Sequence, residues 1–376
     1  ANNDPSNNYY YSFLEATMLF GLGAKDEHPR AQYWLDHFRS TKMERQLIPH
    51  FERDLVGGGS REGTGYGTSM GRLFQLYDWW QQSTGENLAN RTPHALQSQA
   101  WMMHSIVPTL DRLNPTGDQA RDASASLFDY HRRYLLVLVA LYPDEPLSAI
   151  ARSLLASSKV PQMQHGFMKV YDFLYEAAAQ GPRRPIDELA TAYWAAGTGQ
   201  LMMRGGWQAD ASYANLICGP NTQSHAHRDQ GSLVLFNQEW LAADANLYSS
   251  SGLSTDEFFH NLVRFERRGQ DVKQDTDHAC ELLALQNTAH YLYTAINLTP
   301  TLKPRLGLER LEREVLFIKP DTWVVFDRSV SSYENPRHIW SLNLSSKPTI
   351  EGQNLRHTVG KGRLDVLTLN PIPVER

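Results

Sequence analysis

The densest set of reactive side chains is SHAHRDQGS, Ser224 to Ser232, a polar stretch lying between two apolar runs. His225 and His227 are two apart and Asp229 lies two further on, so an extended backbone would turn all three to one face. An H-x-H pair supplies two metal ligands, or one ligand and one catalytic imidazole, because imidazole binds zinc and titrates near neutral pH. Two solvent-facing loop histidines would give the same string. Asp244, closing the run LAAD, and His260, in FFHN, add the remaining ligand types. His227, Asp244 and His260 together suit a zinc ion, although each alone is ordinarily a hydrogen-bonded structural residue.

A second cluster is GGGSREGTGYG, Gly57 to Gly67. Its six glycines in eleven residues imply a backbone that turns tightly or lets a ligand approach, with Tyr66 presented where a helix resumes. The string lacks the Gly-Lys-Ser/Thr ending of a phosphate loop and follows no strand, which argues against a nucleotide site. A tyrosine there can carry a proton if nearby positive charge lowers its pKa from about 10. It can equally cap a helix interface. The third cluster is DPSNNYYYSF, Asp4 to Phe13, where Asn7 and Asn8 open a helix. Asparagine at a helix start is ordinary capping, so a functional role there needs other support. Arg61, Arg204 and Arg228 flank the clusters and could each pair with a carboxylate or sulfate, or sit in a structural ion pair.

The elements that must position these residues fall into two halves. From about Tyr9 to Tyr193 apolar residues recur at three- and four-residue intervals, which predicts helices over roughly 8–22, 28–46, 66–83, 93–112, 119–142, 146–157, 163–180 and 186–196. Breaks fall at Pro29, Gly85, Pro115, Pro143, Pro161 and Gly181-Pro182. Their aromatics (Tyr9, Tyr10, Tyr11, Tyr77, Trp79, Trp80, Trp101) are compatible with a sugar-stacking cleft or with plain core packing. After Gly197 come short runs rich in β-branched and aromatic residues: 199–204, 213–218, 231–236, 239–244, 260–266, 280–286, 290–298, 312–318, 322–327, 337–343 and 364–369. Hairpin-like units such as VLFIKPDTWVVFD (315–327) argue for an antiparallel sandwich over βαβ windings. The expected fold is therefore α+β in two parts, a helical domain over 1–196 and a β-sandwich over 197–376.

The chain has 376 residues, 41% of them hydrophobic, enough for two cores of ordinary size. A net charge of −5 provides no global basic field for nucleic acid or a membrane surface, so an anionic ligand must be held by a local cleft. Two cysteines, Cys218 and Cys280, are too few for a disulfide framework and leave the redox compartment open. The longest apolar run, Tyr134 to Tyr142, is far shorter than the roughly 20 residues of a membrane-spanning helix. A homo-oligomer is compatible with the sequence. The start at Ala-Asn-Asn-Asp and the close at Asn370-Pro371 read as those of a trimmed chain with natural extensions.

Taken together, NNYYY, EGTGYG, MRGGW, HAHRDQGSLVLF, LAADANLY, FFHN and VLFIKPDTWVVFD resemble, in order and across nearly the whole chain, the heparinase II/III family of polysaccharide lyases and its alginate-lyase relatives. The resemblance implies an incomplete (α/α) toroid followed by an antiparallel β-sandwich. It also implies β-elimination at a uronic acid of an anionic polysaccharide, of glycosaminoglycan or alginate type, leaving a 4,5-unsaturated sugar. The C5 proton is not acidic while the adjacent carboxylate keeps its charge, so that group must first be neutralised.

By this resemblance Asn8 is the carboxylate-neutralising amide, and His225 either helps neutralise or acts as base according to the uronate epimer. Tyr66 protonates the leaving glycosidic oxygen and, in syn elimination, first takes the C5 proton. His227, Asp244 and His260 match positions that hold a structural zinc, with no organic cofactor. Relatives often carry His after the neutralising Asn; Tyr9 stands there and would hydrogen-bond or stack on the sugar. Glu62 would orient Tyr66 or contact substrate, beside Arg61, Arg204 and Arg228. By analogy the protein is periplasmic or secreted. Two readings compete: a non-catalytic carbohydrate-binding protein, and a toroid glycoside hydrolase, for which Glu62 and Asp78 are the tempting acids.

Overall fold

A computed structural model of the chain describes residues 3–119, 124–332 and 336–369. Its first half is helical. Helix α1 (Asn8–Gly23) is followed by α2 (Ala31–Asp36), which runs through a wide π-helical stretch, His37–Leu47, into α3 (Ile48–Asp54). Then come α4 (Gly71–Thr84), α5 (His94–Ser105), α6 (Asp129–Leu141), α7 (Pro146–Ser157) and two short segments, α8 (Lys169–Leu174) and α9 (Glu176–Ala179). Helix α6 is buried on nearly every side, Tyr134 to Val139 in an unbroken run, because α4, α5, α7 and α9 surround it. Most of the aromatics noted above are core: Tyr10, Tyr11, Tyr77, Trp80 and Trp101 are buried, while Tyr9 is exposed.

Three expected helices differ. The one over 93–112 stops at Ser105, since Pro108 and Pro115 cannot continue it and the chain from Ile106 is needed elsewhere. The one over 119–142 begins only at Asp129, and residues 120–123 lie outside the described residues. Over 186–196 there is a single turn at Ile186–Glu188 and then a strand, β1 (Ala192–Ala195). Its aromatic pair Tyr193-Trp194 alternates across a sheet instead of following a helical stripe, so the boundary expected at 196 falls inside the sheet.

Strands β1, β2 (Gln200–Arg204), β3 (Tyr213–Ile217), β4 (Leu233–Asn237) and β5 (Glu239–Ala242) form an antiparallel meander in chain order. Strands β6 (Val263–Arg267) and β7 (Gln270–Val272) pair outside it. A second sheet is built from β8 (Glu281–Asn287), β9 (Tyr291–Asn297), β10 (Leu308–Ile318) and β11 (Thr322–Ser331), in the order β11-β10-β9-β8. Helix α10 (Thr299–Leu306) links β9 to β10. Strand β12 (Arg337–Trp340) joins β6, and β13 (Thr349–Glu351), β14 (Asn354–Val359) and β15 (Gly362–Leu367) form a last small sheet. Short, charged β7, β13, β14 and the proline-containing α10 carry too little periodicity to be read from sequence.

The meander is covered on both faces, and its period of two shows how. Met202, Tyr213 and Phe236 belong to the core of the helices, whereas Leu201, Met203, Ala214, Leu216 and Leu235 share a second core with Leu292, Ile296, Val315 and Phe317 of the other sheet. A disulfide, Cys218–Cys280, ties the end of β3 to the start of β8 across 62 residues of sequence. That span contains His225, His227, Asp244 and His260.

Candidate active site

The site begins with the first turn of α1. Asn7 caps the helix, its side chain accepting from the Tyr9 amide at 3.0 Å. The amide of Asn8 is thereby free for another partner: its Nδ2 donates to Glu62 Oε1 at 3.2 Å. Glu62 is 1% exposed. Burial pushes its carboxyl up to about 7, against the opposing pull of His225 and of the Asn8 hydrogen bond. Its second oxygen, Oε2, is buried with no hydrogen-bond partner among the described residues.

The glycines around Glu62 admit the chain itself, not a ligand. Gly63 has φ +78°, and a Cβ there would stand 1.8 Å from the Thr116 carbonyl oxygen. The Thr64 amide donates to that carbonyl at 2.9 Å, and the Tyr66 amide to the Asp118 carbonyl at 3.3 Å. On its other side the same segment meets the histidine loop: the Asp118 amide donates to the His225 carbonyl at 2.9 Å, and a Cβ on Gly117 would stand 2.6 Å from that oxygen. The irregular stretch after α5 thus lies between the glycine-rich turn and the H-x-H loop and joins both.

Asp118 is the hinge of the electrostatics. Its Oδ2 lies 3.0 Å from His225 Nδ1 and its Oδ1 2.9 Å from His227 Nε2. Burial would raise its carboxyl, but the two imidazoles outweigh this and hold it at about 2. With Nδ1 engaged, Nε2 is the His225 nitrogen left for a ligand. The Tyr66 ring stacks on His225, centroids 3.6 Å apart and planes within 5°, and its hydroxyl lies 3.3 Å from Ser249 Oγ. Tyr66, His225 and Asn8 are half-buried, and the carboxyl that holds Asn8 feels the charge of His225.

Behind this layer His227, Asp244 and His260 are fully buried, with one potential ligand atom from each lying within 4.8 Å of the others. Asp244 Oδ2 is 3.5 Å from His227 Nδ1 and 3.1 Å from His260 Nδ1, yet those nitrogens and His260 Nε2 have no hydrogen-bond partner of good geometry among the described residues. Buried imidazole nitrogens without partners beside a carboxylate are what a divalent cation would satisfy, so the residues fit a metal. Burial lowers the His227 pKa, but Asp118 and Asp244 outweigh it and lift it to about 10.

The other expected contacts are placed differently. Arg204 is fully buried in β2, donating to the His104 and Ile106 carbonyls at 2.8 and 3.0 Å and lying 3.6 Å over Trp207; it joins sheet to helices and cannot touch a substrate. Glu62 holds Asn8, not Tyr66 or a sugar. Arg61 donates to the Gly197 carbonyl and faces Asp54, lining a cavity of about 20 Å³ with His227 and Asp229. Arg228 pairs with Asp256 at 3.1 Å. Tyr9, 62% exposed beside Asn8, remains available. Asp78 accepts from the Tyr175 hydroxyl at 2.8 Å. Sequence reading missed Asp118 and Ser249. The turn chemistry of Asn-Pro-Thr-Gly-Asp-Gln (114–119) is the available signal, and apolar spacing reads it only as a helix break.

No protein-family model matches this chain, and no curated protein does. Solved structures do. A heparan sulfate lyase from Pedobacter heparinus superposes with a TM-score of 0.68 at 15% identity, over 98% of this chain and 53% of that one. A mutant form of that enzyme gives 0.71 at 14% identity, over 98% and 54%. A heparinase III structure gives 0.68 at 13% identity, over 95% and 53%. The chain thus spans about half the length of the structures it matches. Almost the whole of this chain superposes on about half of each of these lyases, and its fold is heparinase-like.

Proposed function

We propose that this protein is a polysaccharide lyase that cleaves a uronate-containing chain, of glycosaminoglycan or alginate type, by β-elimination. The observation that carries the reading is the contact of Tyr66 with His225 beside an Asn8 amide held by Glu62, three reactive groups supplied by distant stretches of sequence. On this reading the helices correspond to the incomplete toroid and the two large sheets to the sandwich. The meander's first strand, β1, belongs with the sheets.

The remaining Asn8 N–H donates to the substrate carboxylate and stabilises the negative charge that moves onto it when the C5 proton leaves. His225 Nε2, oriented through Nδ1 by Asp118, either shares that task or takes the proton itself. The C5 electron pair then forms the C4–C5 double bond as the C4–O bond breaks. The departing oxygen takes a proton from Tyr66, which in syn elimination is the proton its phenolate has just removed from C5. No water enters the product.

His227, Asp244 and His260 would hold a zinc ion, whose positive charge would brace the histidine loop against the sheet behind the reacting groups. The Cys218–Cys280 disulfide favours an oxidising, periplasmic or extracellular location. Among the described residues no helix is long and apolar enough to cross a membrane. A hydrolase is disfavoured because Glu62 and Asp78 are each engaged with another side chain. Incubation with a panel of uronate polysaccharides, followed by ultraviolet absorbance, tests the proposal: a conjugated unsaturated product supports it, and chain shortening without such absorbance refutes it.

A further inference from the structure

We infer that Glu62 is the positioning residue of Asn8, fixing which end of that amide faces the sugar carboxylate. The inference rests on the lyase reading above. An asparagine side chain at the first residue of a helix is free to turn its terminal amide over, and the two orientations differ in sign for an anionic ligand. With nitrogen toward the substrate the amide donates to the carboxylate; with oxygen toward it the two repel. Asn7 takes the capping role, its side chain accepting from the Tyr9 amide, so the Asn8 side chain is not held as a cap, while the Asn8 backbone amide faces the same Glu62 carboxyl. The decision falls to Glu62 Oε1, an acceptor 3.2 Å from Asn8 Nδ2 that keeps nitrogen as the bonded end and leaves its second proton for a ligand.

Glu62 suits this task because it is held in the interior and cannot itself swing out to solvent. It is 1% exposed, its amide donates to Ser60 Oγ at 3.2 Å, and its carbonyl lies against Gly117, where a Cβ would come within 3.1 Å. The groups acting on its carboxyl are Asn8 and Tyr11 from α1, Asp4 from the preceding turn and His225 from the histidine loop. Burial also brings its neutral form within reach at neutral pH, so the acceptor need not add a second negative charge beside the one that Asn8 must offset. A neutral acceptor of the same shape serves equally.

The test is steady-state kinetics, read by ultraviolet absorbance on a uronate polysaccharide that the wild type cleaves. The variants are Glu62→Met, Glu62→Gln, Asn8→Ala and the double variant Asn8→Ala/Glu62→Met, with melting recorded for each. Methionine fills the buried volume without an acceptor; glutamine keeps the acceptor. The expected result is a fall in kcat of about tenfold or more for Glu62→Met with KM within about threefold, and recovery of most of that loss in Glu62→Gln. In the Asn8→Ala background Glu62→Met should cost nothing further, because the residue acts through Asn8. Wild-type turnover in Glu62→Met, equal losses for methionine and glutamine, additive losses in the double variant, or failure of both single variants to fold would each overturn the inference. Absence of an unsaturated product from the wild type on every uronate chain would instead sink the lyase reading.

Discussion

Asp118 Oδ2 stands 3.0 Å from His225 Nδ1, and through its other oxygen the same carboxylate holds His227. One side chain therefore links the imidazole proposed to meet substrate with the buried group proposed to hold metal. Asp118→Asn offers an acceptor to only one of the two rings and turns a donor toward the other. Activity should fall by roughly 10- to 100-fold, with a parallel loss of bound metal. Kinetics and elemental analysis of the purified variant check this; full activity with unchanged metal content would detach Asp118 from both roles.

Tyr66→Phe removes the proposed proton carrier and keeps the ring that stacks on His225. Product formation should drop by at least about 100-fold. Stability should change by about 1 kcal/mol or less, since the interaction lost among the described residues is a half-buried hydroxyl contact with Ser249. A Phe variant that still releases unsaturated product at the wild-type rate would remove Tyr66 from the chemistry.

His227→Ala leaves Asp118 and Asp244 buried without the imidazole between them. The expected cost is roughly 3–5 kcal/mol of stability, together with loss of metal, exceeding any change in substrate affinity. Thermal melting with and without a chelator, alongside a binding isotherm, separates these effects. Unchanged melting and metal content would contradict the assignment.

The Glu62 carboxyl, raised from 4.5 to about 7 by burial, makes stability depend on pH with a definite sign. A folded state that binds the proton more tightly than the unfolded chain has the full contribution below about pH 4.5 and loses it as pH rises through about 7. Relative to Glu62→Gln, which does not titrate, the wild type should lose up to about 3 kcal/mol between pH 5 and pH 8. Urea unfolding of both proteins across that range measures the difference; parallel curves would show that Glu62 stays ionised throughout.

Breaking the Cys218–Cys280 bond, by reduction or by Cys280→Ser, releases a 62-residue loop that carries all three candidate metal ligands, His227, Asp244 and His260. A loss of about 2–4 kcal/mol is expected, with chelators stripping metal more readily from the reduced protein. Coincident urea midpoints with and without reductant would show that the sheets alone hold the loop in place.

The change from helix to sheet was legible because apolar period is a local property, and both the 3.6-residue stripes before Tyr193 and the alternation in β2, β3 and β4 are written in contiguous residues. The stretch from Ile106 to Gln119 resists a reading from spacing because its shape is set by what it touches. It is irregular so that Thr116, Gly117 and Asp118 can lie between two other loops, and no periodicity records such a demand. The metal group was visible as ligand types, and Tyr66 as an odd residue on a glycine-rich turn. Asp118 was not, because an aspartate in a Pro-Thr-Gly-Asp turn looks like any other until His225 and His227 are brought against it. Arg204 misleads for the converse reason: an arginine closing the run 199–204 reads as free to pair with an anion, whereas its side chain is buried, donating to the His104 and Ile106 carbonyls and lying over Trp207.

The central claim is that the chain is cut by elimination, with Asn8, Tyr66 and His225 acting on one uronate ring. Its most direct test is digestion in water enriched in heavy oxygen, with mass analysis of the new ends. The account predicts products that carry no heavy oxygen and lack one water relative to hydrolysis, one end of each cut being unsaturated. Incorporation of heavy oxygen at the new ends, with saturated sugars on both sides, would contradict it.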